Sequence, residues 1–124
     1  MKTSRLAAAA AALSILTLGA GCALTCEEST EAAQADVEAV RVQHLSCLVD
    51  ADCTLVDVST RCQGACPRPV ARSGEAAVRI AVEKADDEHC SGPMRSGCGY
   101  ATPSCVAFEA SCASGTCTER GLAE

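Results

Sequence analysis

The sequence predicts a small disulfide-rich α+β domain, with two helices packed on a three-stranded antiparallel sheet that ends in a C-terminal hairpin. Three observations carry this expectation. Cysteine is unusually dense, at 11 in 124 residues, which in an exported chain reads as a cross-linked scaffold. Two stretches repeat small apolar residues at helical spacing. Two others are rich in β-branched residues or are folded back by a Ser-Gly turn signal.

The first helix is expected from Glu27 to about Cys47, because Thr25 followed by Glu28 has the spacing of a capping box. Ala33, Val37, Val40, His44 and Cys47 then share one face, with Glu31, Gln34, Glu38 and Arg41 mostly elsewhere. On that face His44 is expected to be a packed core histidine. Asp50-Ala51-Asp52 reads as a polar turn and Cys53 to Val58 as a strand. Arg61 to Val70 reads as a loop, since Gly64, Pro67 and Pro69 oppose regular structure. A second helix should start near Ser73, an acceptable N-cap with Glu75 in the first turn, and run to about His89. Val78, Ala81, Val82 and Ala85 form its apolar stripe. Residues 90–104 are expected to be irregular. Cys105–Cys112 and Thr116–Glu119 form the hairpin around Ala113-Ser114-Gly115.

Residues 1–21 have the layout of an export signal: Lys2 and Arg5, an uncharged run from Leu6 to Leu18, then Gly19, Ala20 and Gly21. With Cys22 directly after them, this segment resembles the bacterial lipoprotein precursors, in which small residues precede a cysteine that receives diacylglycerol. Ala20-Gly21-Cys22 matches that pattern. Gly19 stands where the family prefers leucine, and Leu18 lies one place earlier. The resemblance implies lipidation of Cys22 and a signal peptide at 1–21. It also favours outer-membrane sorting, because Ala23 replaces the aspartate that often retains such proteins at the inner membrane. The remaining chain divides into a tether at 22–28 and a single domain at 29–124. Without Cys22, ten cysteines remain and can close as five disulfides. The mature part is similar in style to small cysteine-rich bacterial lipoproteins.

Composition limits what this domain can do. Removing Lys2 and Arg5 with the leader leaves 8 basic and 16 acidic residues. That balance argues against nucleic-acid binding, which needs a basic surface. Tyr100 and Phe108 are the entire aromatic content, so stacking platforms for sugars or single strands are not expected. Alanine and valine bury little area each. At roughly 25 cal/mol per Å² they give a marginal core, and cross-links of about 2–4 kcal/mol each are the obvious remedy.

The cysteines assigned to bridges are Cys26, Cys47, Cys53, Cys62, Cys66, Cys90, Cys98, Cys105, Cys112 and Cys117. No two are spaced C-x-x-C, which argues against a thioredoxin-like pair or a zinc-ribbon half-site. The C-x3-C pair Cys62 and Cys66 could serve a metal with His89 and Cys90, but an oxidising compartment favours disulfides. The pairing stays open, at about 945 connectivities. Asp50, Asp52 and Asp57 lack the ligand and glycine pattern of an EF-hand and read as a solvated turn. Asp86-Asp87-Glu88-His89-Cys90 reads as a solvated helix end. No hydrolase, metalloprotease or phosphate-loop motif is present, so no catalytic residue, metal or cofactor is assigned.

One surface stands out. Arg61 to Pro69 combines two cysteines with two prolines, which would hold the loop rigid and lower the entropy lost on binding. Gln63, Pro67, Arg68 and Pro69 are its candidate contact residues. The reading that follows is a binding or structural module, held on a membrane through lipidated Cys22, with an envelope or extracellular protein as possible partner. The alternative is a secreted protease inhibitor that presents loop 61–70, with Arg68 in the specificity pocket of a trypsin-like enzyme.

Overall fold

The computed structural model describes residues 25–92 and 97–122. The leader, Cys22 and the first part of the expected tether lie outside them. Two helices, α1 (Cys26–Arg41) and α2 (Glu75–His89), accompany four strands: β1 (Cys53–Val56), β2 (Arg68–Ala71), β3 (Phe108–Ala113) and β4 (Thr116–Gly121). The small disulfide-rich α+β class is therefore correct. Among the described residues, no helix is long and apolar enough to cross a membrane.

The three-stranded sheet is not what forms. Two antiparallel pairs appear instead, β1 with β2 and β3 with β4. The segment expected to be a loop supplies β2, and Leu55 faces Pro69 across the pair. Proline is tolerated there for a geometric reason. The Pro69 carbonyl accepts from Arg41 Nη1 at 2.7 Å and the Ala71 N–H donates to the His44 carbonyl at 2.8 Å, both directed away from β1. In an antiparallel pair alternate residues turn outward, so the N–H that proline lacks is not a rung of the ladder.

A third strand for the hairpin is nearly present, but it comes from another part of the chain. Ser46 bridges Thr116, flanked by Cys47 N–H to the Gly115 carbonyl at 3.1 Å and Cys117 N–H to the Leu45 carbonyl at 2.7 Å. The hairpin turn has two residues, with positive φ at Ser114 (50°) and Gly115 (78°). That sign at both positions suits the right-handed twist of the flanking strands.

The first helix starts as expected and ends early. The Thr25 side chain accepts from Glu28 N–H, and the Glu28 carboxylate accepts from Thr25 N–H at 2.7 Å. These hydrogen bonds hold the Glu28 carboxyl below the usual carboxylate range. The helix thus begins at Cys26, inside the stretch assigned to a tether. Its buried stripe is Ser29, Ala33, Val37 and Arg41, a strict four-residue repeat that ends on an arginine. Beyond Arg41 the chain turns, so His44 is not on the helix. It is half-buried, and its Cβ and ring lie against Gly74. A Cβ on Gly74 would collide with the His44 Cβ, so this close approach requires glycine. The second helix is entered through a 3-10 turn at Arg72–Gly74, with Gly74 rather than Ser73 at the N-cap and no side-chain cap.

Five disulfides join the ten assigned cysteines: Cys26–Cys98, Cys47–Cys112, Cys53–Cys117, Cys62–Cys90 and Cys66–Cys105. Such a set indicates an oxidising, extracytoplasmic setting. Two cores result. One contains Ala33, Val37, Val56, Val70, Val78 and Ala85 together with Cys62 and Cys90, between the helices and β1–β2. The other is Cys47, Cys53, Ala71 and Cys117, between β1–β2 and the hairpin.

Candidate functional site

The chain between β1 and β2 is built as a braced knot. Asp57 Oδ1 accepts from Ser59 N–H at 2.8 Å, the local turn that aspartate favours two residues ahead of a donor. The Ser59 hydroxyl accepts from Ala65 N–H at 3.1 Å and lies 3.3 Å from the Ala65 carbonyl. Within that ring, Thr60 N–H donates to the Gln63 carbonyl at 3.0 Å and Gln63 N–H donates to the Thr60 carbonyl at 3.3 Å. Gln63 therefore spends its backbone inside the loop.

The knot is also fastened from outside. Cys62 joins it to Cys90 at the end of α2, and Cys66 joins it to Cys105. Arg61 N–H donates to Asp86 Oδ1 at 2.6 Å, and the Arg61 guanidinium lies 3.8 Å from the same carboxylate. Asp86 is buried, so only part of the acidic run at 86–88 is a solvated helix end. Its first member points inward and positions the loop. On the opposite side, Gly64 N–H donates to the Ala101 carbonyl at 2.8 Å. A Cβ at Gly64 would meet the Ala101 oxygen and the Thr102 Cα at 3.2 Å, so the strap at 97–107 needs glycine to come this close.

The four candidate contact residues do not act as one exposed loop. Pro67 is half-buried and Pro69 is buried. Arg68 opens β2 opposite Val56, and its guanidinium faces Glu119 of β4 at 3.6 Å. What the knot does create is a cleft of about 380 Å³ against α1. Val37 and Val58 supply apolar lining. Gln34, Glu38, Arg68 and the Cys66 bridge form the remaining walls. Arg68 also borders a shallower cleft of about 360 Å³ that runs to the hairpin at Thr116–Glu119.

Behind the first cleft stands a group that sequence reasoning placed on the wrong face. Arg41 is buried. It reaches the Pro69 carbonyl and grips Glu38 through two nitrogens, at 2.7 Å and 2.6 Å. The Arg41 hydrogen bonds hold the Glu38 carboxyl below the usual range, and Glu38 raises the arginine in turn. The Ser29, Ala33, Val37, Arg41 spacing was the available signal, because a long arginine stem can lie along an apolar stripe and still carry its charge to a partner.

The aspartates around Cys53 all hold backbone. Asp52 Oδ2 accepts from Leu48 and Val49 N–H at 2.8 Å and 3.1 Å. Asp50 Oδ1 accepts from Cys112 N–H at 2.7 Å, with its other oxygen 3.2 Å from Arg120. The backbone donors hold both carboxyls below the usual range, Arg120 adding to the effect at Asp50. The sulfurs of Cys47, Cys53 and Cys117 converge at metal-like spacing, but each is committed to a disulfide. Cys22, the assigned lipid anchor, lies outside the described residues. No protein-family model, curated protein or solved structure matches this chain.

Proposed function

We propose that this protein is a non-catalytic, extracytoplasmic binding module held on a bacterial outer membrane by lipid on Cys22, and that it recognises an envelope or extracellular protein through the cleft between α1 and the braced knot. One observation carries the recognition site. One wall of the cleft is Ala65 and Cys66 of the knot, and that knot is fastened by two bridges that leave in different directions from Cys62 and Cys66, four residues apart. A surface fixed before binding loses little entropy when it binds. Val37 and Val58 suit an apolar side chain, while Gln34 and Arg68 suit the carbonyls or carboxylate of an extended segment. In this reading Arg68 is a rim residue. Its place in the β2 ladder and its contact with Glu119 serve a groove better than the projecting tip that a protease inhibitor requires.

Two measurements test the two halves separately. Intact mass and thiol alkylation of the purified mature protein should find a diacylated Cys22 and no alkylatable thiol. An unlipidated chain that starts elsewhere would remove the anchor. A photo-crosslinking residue in place of Ala35, on the cleft wall, should capture a discrete envelope protein in cells, whereas one at exposed Glu83 should not. Equal capture from both positions, or none from Ala35, would remove the cleft.

A further inference from the structure

On the side of the helix pair away from this cleft, α1 and α2 bring together Asp36, Glu88 and His89. We infer that these three side chains form a site for a transition-metal divalent cation of the zinc or copper kind, which clips α1 to α2. One ligand atom from each lies within 4.8 Å of the others. His89 Nε2 is 2.7 Å from Asp36 Oδ2 and 3.9 Å from Glu88 Oε2. The imidazole distinguishes this cluster from a patch of carboxylates, because nitrogen ligands select zinc, copper or nickel over calcium and magnesium.

The surroundings fix the ligands in a way suited to binding. His89 is the last residue of α2, and its side chain is only 20% exposed. The next residue is Cys90, bridged to Cys62, so the end of α2 is tied to the braced knot. Asp36 and Glu88 are about half exposed, which leaves an entry path and room for a water ligand. Glu88 divides its oxygens, with Oε1 at 3.7 Å from Lys84 Nζ and Oε2 turned toward His89, an arrangement suited to monodentate ligation. Bonds of about 2.0–2.1 Å at tetrahedral angles separate ligand atoms by roughly 3.3 Å. Asp36 therefore has to retreat by about half an ångström, and the metal takes the place of the direct Asp36–His89 contact. The carbonyls that end α2, together with exposed Asp87, make this helix terminus favourable for a cation.

The chain contains two histidines, His44 and His89, which makes the test direct. Calorimetric titration of the mature, disulfide-intact protein with zinc chloride should give one site with a micromolar dissociation constant, and zinc should raise the melting temperature. His89→Gln should weaken binding more than tenfold and Asp36→Asn about tenfold, with far-UV circular dichroism and the five bridges retained. His44→Gln should leave binding unchanged, and calcium or magnesium should not compete. No binding at 100 μM zinc, full binding retained by His89→Gln, or loss only in His44→Gln would overturn the site. The cleft reading stands or falls independently of this result.

Discussion

The two cores of this protein use different chemistry for the same task. Between the helices and β1–β2, side chains are buried outright. Val56, Val70 and Val78 are among the largest that are fully enclosed. The stabilisation is mainly hydrophobic burial and close packing, with the one bridge Cys62–Cys90 packed among them. Between β1–β2 and the hairpin the apolar side chains besides cysteine are few: Ala71 is buried, with Leu45 and Ala110 packed partly buried against it. β3 and β4 carry Ser111, Thr116, Thr118, Glu119 and Arg120, and the space is filled by Cys47–Cys112 and Cys53–Cys117 with Ala71 beside them. The contrast teaches that cross-links here stand in for large side chains where the sequence has none. It also places the cleft, lined by α1 and the braced knot, on the side with the valine core.

The largest expected effect comes from removing the sulfur core. The bridges at 47–112 and 53–117 span similar loops, so the second to close constrains only the short segments between them. Chain-entropy reasoning gives roughly 4 kcal/mol for the first bridge and about 3 kcal/mol for the second. Replacing either cysteine pair by alanine should therefore cost about 3 kcal/mol, and replacing both about 7 kcal/mol, measured by urea unfolding. Hydrogen exchange of the four-fold variant should show β3 and β4 unprotected while α1 and α2 retain protection. Equal loss in the helices would mean that the two cores are one cooperative unit, and the comparison would fail.

The valine core gives the next effect. Val78 is fully buried in α2 and has little capacity for its neighbours to close over a vacancy, since these are themselves valine and alanine. Val78→Ala should cost about 2–3 kcal/mol. Its signature differs from that of a bridge, because it accelerates opening of the helices as well as lowering the denaturant midpoint. If Val78→Ala cost less than about 1 kcal/mol, the helical side would also be held mainly by its bridges.

How much of this was legible depended on whether the signal was local. The Thr25–Glu28 capping box is contained within a few residues and forms as expected. Of the first expected stripe only Ala33 and Val37 lie buried on α1, whereas Val78, Ala81 and Ala85 of the second are buried on α2. The turn expected at Ala113-Ser114-Gly115 is reduced to Ser114-Gly115, because Ala113 pairs with Thr116. β2 was missed because Pro69 opposes a strand locally, and only its partners at Arg41 and His44, 28 and 27 residues away, show that its outward position costs nothing. For the same reason the three-stranded sheet was expected. β1 has strand character, but whether it joins the hairpin or residues 68–71 is decided by pairing across the chain. Disulfide identity followed from parity and compartment, whereas the connectivity did not. The braced knot was found by composition, but the cleft beside it needs α1 in place, and inward-facing Arg41 and Asp86 are charges that a helical pattern assigns to solvent.

Acid provides the smallest and most discriminating test, because disulfides and valines do not titrate between pH 3 and 7 and both cores therefore share one weakness in their carboxylates. Glu38 on the helical side and Asp50 on the hairpin side both have depressed folded-state values, the first chiefly through hydrogen bonds from Arg41 and the second chiefly through Cys112 N–H, with Arg120 adding to it. A depressed carboxyl contributes stability that is fully present above its unfolded value, about 3.9 for aspartate and 4.3 for glutamate. The contribution is lost as pH falls through the lower folded value. The denaturant midpoint should therefore drop from about pH 5 downward. Glu38→Gln should flatten that drop, with the change in exchange protection confined to α1 and β2, since Arg41 connects Glu38 to the Pro69 carbonyl. Asp50→Asn should flatten it with the change confined to the hairpin. If either substitution altered protection on both sides, the charge pairs would be coupling the two cores, and the division between valine and sulfur would describe composition without describing cooperativity.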